Sequence, residues 1–144
     1  MKPEKIEIMA PVGSYESLNA AIKAGCDSIY FGIAQLNMRA NSANNFTIED
    51  LKKIVSICKE TKIKSYLTVN TIIYNSDMEI MKKICDAAKS SGISAVIACD
   101  MAVIEYCNKI GVDIHMSTQT NISNIEAVSF YSKFADVIVL AREL

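Results

Sequence analysis

The single histidine of the chain lies in a segment, residues 112–119 (VDIHMSTQ), where apolar and polar residues alternate. Read as a strand, the segment directs Asp113, His115 and Ser117 to one face and its apolar side chains to the other. Histidine gains or loses a proton near neutral pH more readily than other side chains. His115 is therefore the candidate catalytic acid or base, or a hydrogen-bond donor to a substrate oxygen. An interior histidine with only a structural role would fit the same pattern.

Further polar residues lie at or near the ends of the other predicted strands, where α/β barrels hold their active sites. Arg39 and Arg142 carry paired guanidinium donors that suit a carboxylate or phosphate, although solvated loop arginines would look the same. Asp100 is more simply explained as a helix N-cap than as a base. The candidate substrate-binding residues are Tyr30, Gly32, Arg39, Asn45, Thr68, Asn70, Asp100, Ser117, Gln119 and Arg142.

The sequence contains no recognisable activated nucleophile and no metal-ligand motif. Neither H-E-x-x-H nor a nucleophile elbow occurs. His115 and Ser117, two residues apart on one strand face, lie about 7 Å apart, which is too far for a direct hydrogen bond. Cys99, at a strand end, is the one cysteine placed to face a site. The five cysteines, at 26, 58, 85, 99 and 107, lack C-x-x-C spacing, so we predict neither disulfides nor a zinc site.

Composition limits the class of protein. The 144 residues suffice for one domain, 51% of them are apolar, and the net charge is -1 with both signs mixed along the chain. A basic stripe of the kind that binds nucleic acid is absent from the sequence. The apolar runs are shorter than the roughly 18 residues of a membrane span, and the first residues do not resemble a signal peptide. We therefore expect a soluble, cytoplasmic protein.

Strand and helix patterns alternate along the chain with a period of about 20 to 30 residues. The predicted strands cover residues 6–10, 28–32, 63–70, 94–99, 112–119 and 137–140. The predicted helices cover residues 14–24, 47–60, 76–92, 100–109 and 123–133, and Gly25 ends the first of them. The helix starts are assigned to N-caps and capping boxes at Ser14, Thr47 with Asp50, Ser76 with Glu79, Asp100, and Ser123 with Glu126.

Strands joined by crossover helices must run parallel, which leaves an open doubly wound sheet or a (β/α) barrel. Central strands of an open sheet are apolar on both faces, whereas four strands here have one polar face. We therefore favour a parallel (β/α) barrel of the TIM type. Glu7 and Asp113 belong to the polar face, and we expect them low in the barrel, in a hydrogen-bond network with Tyr30, Lys64 and Tyr66.

The predicted six strands and five helices make an incomplete barrel, because a full one has eight of each. We interpret residues 1–144 as a single domain, the N-terminal portion of a barrel whose remainder is absent from this chain. Its outer strands would have open edges, through which we expect self-association. In the first strand, Ile6, Ile8 and Ala10 are assigned to the face that helices cover.

Several segments, occurring in order, carry a family resemblance. They are MAPVGS (9–14), AGCDSIYFG (24–32), RA (39–40) with NNFT (44–47), TVNT (68–71), HMSTQ (115–119) and LAREL (140–144). Together they cover nearly the whole chain and are similar to segments of the collagenase-like peptidase family, also called peptidase family U32.

The resemblance implies a TIM-barrel fold for this region and an enzymatic parent protein. Some members of the family are called collagenase-like proteases. Others are oxygen-independent hydroxylases of RNA bases or quinone precursors that use an iron–sulfur cluster, with prephenate as the oxygen source. The cluster cysteines of those members lie mainly downstream of the segment that matches Arg142, so we expect no cofactor in this chain.

Three functions follow from the residues and the resemblance together. Hydroxylation by the full-length protein is slightly preferred on chemical grounds. A true peptidase with catalytic groups elsewhere, and a non-catalytic piece that only assembles, are the alternatives. The expected partners are a small carboxylate, RNA or a peptide as substrate of the full-length protein, and we expect no membrane association.

Overall fold

The computed structural model describes residues 6–33, 36 and 46–144. Six parallel strands form one sheet in chain order: β1 (Met9–Pro11), β2 (Ser28–Gly32), β3 (Lys64–Val69), β4 (Ala95–Ala98), β5 (Ile114–Met116) and β6 (Val137–Ile138). Five helices alternate with them: α1 (Tyr15–Lys23), α2 (Asp50–Glu60), α3 (Met78–Ser91), α4 (Met101–Ile110) and α5 (Ile125–Tyr131). This is an incomplete parallel (β/α) barrel, as the alternating patterns predict. Within the described ranges, no helix is long and apolar enough to cross a lipid bilayer.

The outer face of the sheet, the one that the helices cover, carries the hydrophobic core. Ile29 and Phe31 of β2, Leu67 of β3 and Ile114 of β5 are at most 1% exposed. These residues follow the period of two that a strand requires, and the helices bury side chains three to four residues apart against them. The buried helical side chains include Leu18, Leu51, Ile54, Cys58, Met81, Ile84, Cys85, Ile104 and Cys107. The cysteines among them pack as small apolar side chains, as predicted.

The start and end of α1 match the sequence signals. The Ser14 hydroxyl accepts the Ser17 amide (3.2 Å), and the Ser17 hydroxyl in turn accepts the Ser14 amide (2.9 Å), so two amides of the first turn are satisfied. Gly25 follows the last turn with φ +80°, a conformation that costs glycine little and other residues more.

The sequence predicts Thr47 as the cap of α2, supported by Asp50. In the structure Asp50 is the acceptor and Thr47 the donor. The helix begins at Asp50, whose carboxylate accepts both the amide (2.8 Å) and the hydroxyl (2.9 Å) of Thr47. Its other oxygen accepts the Tyr15 hydroxyl of α1 (2.6 Å). A carboxylate in the first turn of a helix is also favoured by the helix dipole. Asp50 therefore fixes the start of α2 and ties it to α1.

The capping box predicted for α3 is wrong. The helix begins at Met78, after a single 3₁₀ turn, rather than at Ser76. The Asp77 carboxylate accepts the Tyr74 amide (2.9 Å), so the aspartate serves the function that the pattern assigns to Ser76 and Glu79. A carboxylate accepts more strongly than a hydroxyl, which is why the neighbouring residue prevails.

The capping box predicted for α5 is also displaced, by one residue. Asn124, with φ -144° and ψ 163°, is the N-cap, and its side-chain oxygen accepts the Ala127 amide (2.9 Å). Ser123 and Glu126 do not form the predicted pair, because α5 begins at Ile125. Asparagine is as good an N-cap as serine, so the local pattern does not distinguish the two starts.

The first strand is shorter than predicted, and its apolar residues are not covered. The strand begins at Met9, and Ile6 and Ile8 are 84% and 63% exposed. Only Ala10 of the three assigned residues packs against the core. β1 pairs with β2 alone in the described sheet, so its other edge has no strand partner among the described residues.

Candidate functional site

The inner face of the sheet, opposite the helices, brings predicted site residues of three strands together. Tyr30 of β2 pairs with Tyr66 of β3. Thr68, two residues further along β3, is level with Ile97 of β4, which pairs with His115 of β5. Because residues two apart on a strand share a face, Tyr30, Tyr66, Thr68 and His115 all lie on the inner face. The shared polar face on which the predicted site depends is present.

His115 is half-buried and packs against the ring of Tyr66, with ring centroids 4.6 Å apart and planes at 51°. Its ring nitrogens form no hydrogen bond within the described ranges of the chain. Burial lowers the pKa of His115, although the negative charges of Glu7, Asp136 and Asp113 oppose that effect. The lowered pKa favours the neutral imidazole, which offers a substrate one donor and one acceptor.

Glu7 connects the approach to β1 with β3 through two short contacts. Its carboxylate accepts the Tyr66 hydroxyl (2.6 Å) and pairs with the Lys64 ammonium (2.6 Å). Burial alone would raise the pKa of Glu7, but the hydrogen bonds from Lys64 and Tyr66, together with the Lys64 charge, lower it to about 2. Burial and the Glu7 carboxylate raise the pKa of Tyr66, so this hydroxyl stays protonated. The predicted network is confirmed for Glu7.

Two features of the inner face differ from the prediction. Asp113 is exposed rather than held in the network, because it lies before the start of β5. β4 contributes apolar side chains, Ala95 and Ile97, which pack with Tyr66. The inner face is thus polar on β2, β3 and β5 and apolar on β4, which lies between β3 and β5.

Two predicted binding residues use their hydroxyls to hold the backbone. Thr68, 9% exposed, donates from Oγ1 to the Phe31 carbonyl (3.1 Å). Ser117, 3% exposed, accepts the Gln119 amide (3.3 Å) and caps a 3₁₀ turn. Gln119 is exposed on that turn. Thr68 and Ser117 therefore shape the end of the sheet in this structure.

The other predicted binding residues differ in how the structure places them. Gly32 is half-buried beside Thr68, and Asn70 is half-buried directly after β3. Arg142 is exposed and forms no hydrogen bond or ion pair with the residues that the structure describes. Arg39 and Asn45 lie outside the described residues.

Asp100 is an N-cap, the simpler of its two predicted roles. One carboxylate oxygen accepts the Ala102 amide in the first turn of α4 (2.9 Å). The other accepts the Ile73 amide in the segment after β3 (3.0 Å). Both oxygens are thus engaged by backbone, which ties the segments after β3 and β4 together at the end of the sheet where the site lies.

Replacing Asp100 with alanine is expected to lower the free energy of unfolding by about 2 kcal/mol, since it removes a cap and leaves a second amide without its acceptor. Urea unfolding followed by circular dichroism measures the loss. Asn124→Ala is the matched control, because that cap satisfies a single amide, and it should cost about 1 kcal/mol. Equal losses in the two variants would contradict the double role of Asp100.

The cysteines offer neither an activated nucleophile nor a ligand set. Cys99 is half-buried, its sulfur lies 3.8 Å from the Thr71 carbonyl, and burial and the Asp100 charge raise the pKa of its thiol. The other four are buried, and burial raises the pKa of Cys58 to about 11. Among the described residues, no three His, Cys, Asp or Glu side chains cluster closely enough to hold a metal ion. These residues therefore do not fit an iron–sulfur cluster.

The profile of peptidase family U32 matches residues 13–144. A "Collagenase" of Porphyromonas gingivalis is 65% identical over 144 residues, which are all of this chain and 35% of that protein. "tRNA hydroxylation protein P1" of Bacillus subtilis is 34% identical over 97% of this chain and 34% of that protein. The "23S rRNA 5-hydroxycytidine C2501 synthase" of Escherichia coli is 28% identical over 97% of the chain and 21% of that protein.

Solved structures show the same fold. "The Structure of the U32 Peptidase Mk0906" superposes with a TM-score of 0.75 at 12% identity, covering 97% of this chain and 60% of that one. A deoxyribose phosphate aldolase from Aeropyrum pernix superposes with a TM-score of 0.67 at 13% identity, covering 92% and 63%. At such identities the likeness concerns the fold alone. The chain spans about a third of the length of the collagenase and the tRNA hydroxylation protein.

Proposed function

The chain belongs to peptidase family U32, and from that premise we propose that it forms the N-terminal part of the barrel of an enzyme that hydroxylates an RNA base. Two of the relatives above are named for hydroxylation of tRNA and for synthesis of a hydroxylated cytidine in 23S rRNA. Their similarity extends over nearly the whole chain, so it includes every strand that forms the inner face.

The observation that carries the proposal is the state of His115. Its imidazole is half-buried, without a hydrogen-bond partner in the described ranges, and held against Tyr66, and burial favours its neutral form by lowering its pKa. A neutral imidazole can donate to a base carbonyl or take up a proton during substitution on a ring. Peptide hydrolysis by a serine or cysteine would instead need an activated nucleophile, and Ser117 and Cys99 do not provide one.

The chemistry of oxygen insertion would come from groups outside these residues. The family resemblance implies an iron–sulfur cluster and a carboxylate co-substrate, prephenate, that supplies oxygen. The described cysteines do not fit such a cluster, so its ligands would belong to the part of the full-length protein that this chain does not include. Within this chain, His115 would meet the base, and Arg39 and Arg142 remain candidates for binding the carboxylate.

Nucleoside analysis tests the proposal directly. The full-length gene is deleted, and tRNA and rRNA are digested and compared by mass spectrometry with those of the parent strain and of a complemented strain. We expect one nucleoside that is heavier by a single oxygen to disappear on deletion and to return on complementation. Unchanged RNA nucleosides would overturn the proposal, and a loss of hydroxylated quinone precursors in the same cells would assign the enzyme to that substrate.

A peptidase is the second candidate, favoured by the 65% identity to a protein named "Collagenase". Under this proposal the catalytic groups lie in the part of the full-length protein outside this chain, and the inner face binds an extended peptide. Incubating purified full-length protein with denatured collagen and with a folded control protein tests it. Cleavage of the denatured collagen that persists in the presence of inhibitors of contaminating proteases would support this candidate, and intact collagen would contradict it.

Self-association is the third candidate, and exposed apolar residues at both outer strands favour it. In the described sheet β1 pairs only with β2 and β6 only with β5. Ile6 and Ile8 beside β1 are 84% and 63% exposed, and Val137 of β6 and the nearby Leu140 are 43% and 47% exposed. A strand edge of this kind presents unpaired backbone groups to a second copy of the chain.

Replacing Ile8 with lysine is expected to convert this 144-residue chain from an oligomer to a monomer, because a charge at a strand edge opposes edge-to-edge pairing. Size-exclusion chromatography with light scattering measures the mass. Ile125→Lys is the control: Ile125 is similarly exposed (71%) but lies on α5, so its replacement should leave the mass unchanged. A wild-type chain that is monomeric at all concentrations would refute the candidate.

A further inference from the structure

We infer that Glu7 and Tyr66 are positioning residues for His115: the Glu7 carboxylate holds the Tyr66 hydroxyl, and the Tyr66 ring holds the imidazole. The inference rests on the proposed function only in taking His115 as the group that meets the substrate. It assigns a role to a glutamate that lies outside the predicted binding set, before β1, which is four strands along the sheet from the strand of His115.

The first step is the fixing of the Tyr66 ring. Tyr66 is 3% exposed and packs with Ala95, Ile97 and Tyr30, so its ring has little room to move. Its hydroxyl donates to Glu7 over 2.6 Å, and Glu7 is itself held by Lys64 at the same distance. A short hydrogen bond to an ionised carboxylate is among the stronger ones in proteins. Both ends of the tyrosine are therefore constrained.

The second step passes from Tyr66 to His115. Catalytic and metal-binding histidines are commonly oriented by a hydrogen bond to one ring nitrogen. His115 has no such bond in the described ranges, and its one ring contact is with Tyr66, at 4.6 Å between centroids. A tilted ring pair of this kind is favourable beyond the area that it buries. The orientation of the imidazole therefore depends on where the Tyr66 ring lies.

The charge of Glu7 affects the pKa of His115, whereas the position of the Tyr66 ring affects the orientation of the imidazole. The two effects can therefore be measured separately. The charged groups that act on it are Glu7 before β1, Lys64 on β3, Asp113 before β5 and Asp136 before β6. Glu7→Gln removes a negative charge but keeps an oxygen that can accept the Tyr66 hydroxyl. This variant should lower the pKa of His115 and leave its orientation unchanged. Tyr66→Phe keeps the ring and the Glu7 charge but removes the hydroxyl, so it should alter the orientation.

Nuclear magnetic resonance can follow His115 without ambiguity, because it is the only histidine of this chain. The shifts of its ring protons, measured above its pKa, report the ring current of Tyr66 and hence the geometry of the pair. We expect Tyr66→Phe and Glu7→Ala to move these shifts toward the values in Tyr66→Leu, which has no ring. Glu7→Gln should keep the wild-type shifts with a lower pKa.

Tyr15→Phe is the matched control. Its hydroxyl also donates to a carboxylate over 2.6 Å, that of Asp50, but among the helices. It should leave the His115 shifts at their wild-type values, although it removes the same kind of bond. His115 shifts that stay at the wild-type values in both Tyr66→Phe and Glu7→Ala would overturn the inference. The measurement needs no enzymatic activity, so a failure of the proposed hydroxylation leaves it interpretable.

Discussion

In the full-length protein, replacing His115 with glutamine is expected to lower the rate of RNA hydroxylation about 100-fold or more, the usual contribution of a general acid or base. Glutamine keeps a donor and an acceptor but has no nitrogen that can take up a proton near neutral pH. The variant should therefore retain substrate binding better than turnover. The rate with a transcript of the target RNA, measured as hydroxylated nucleoside by mass spectrometry, checks this and separates kcat from KM.

The control for this experiment lies on the opposite face of the sheet. The Tyr106 hydroxyl of α4 donates to the Asp86 carboxylate of α3 at the protein surface, on the side of the sheet that the helices cover. Tyr106→Phe should leave the rate of hydroxylation unchanged. If His115→Gln turned over like the wild type, His115 would be a structural histidine, and the alternative that the sequence pattern leaves open would be correct. A loss confined to KM would make it a binding residue only.

Much of the framework is predictable from the sequence because it depends on local periodicity. The alternation of Ile29 and Phe31 with Ser28 and Tyr30 assigns both faces of β2 without knowledge of any neighbour. N-caps such as Ser14 are local too. Where two adjacent residues can both cap, as at Ser123 and Asn124, the sequence alone is ambiguous by one residue, and α5 illustrates the error.

For the site itself, the sequence predicts which face of each strand carries the polar residues but not which of these residues contact one another. The contact between Tyr66 and His115 requires two strands to be brought into register across β4, and no pattern within either segment contains that information. Thr68 is a predicted binding residue whose hydroxyl is already engaged within the sheet. Its type and position suit substrate binding, yet its hydroxyl donates to a carbonyl of the neighbouring strand. The exposure of Ile8 likewise depends on what lies beside β1, which local sequence does not specify.

The second large effect concerns the dependence of stability on pH. Glu7 has a pKa of about 2 in the folded protein against an ordinary value of 4.5, because the contacts with Lys64 and Tyr66 outweigh the effect of burial. A carboxyl group with a lowered pKa stabilises the folded state above its unfolded-state pKa, and this contribution is lost as the pH falls through the folded-state value. A fully shielded group would contribute about 3 kcal/mol. Since 35% of the Glu7 side chain is exposed, we expect about 1–2 kcal/mol after screening by solvent.

Glu7→Gln should therefore be less stable than the wild type by about 1–2 kcal/mol at pH 7, and the difference should vanish between pH 4.5 and pH 2. Urea unfolding at a series of pH values measures it. Asp50→Asn is the comparison, since hydrogen bonds from Tyr15 and Thr47 also lower the pKa of Asp50, but on the helical side of the sheet. A stability difference that stays constant from pH 7 to pH 2 would mean that Glu7 contributes by packing. In that case the negative charge of Glu7 would add nothing to stability through its contacts with Lys64 and Tyr66, and only the shape of its side chain would matter.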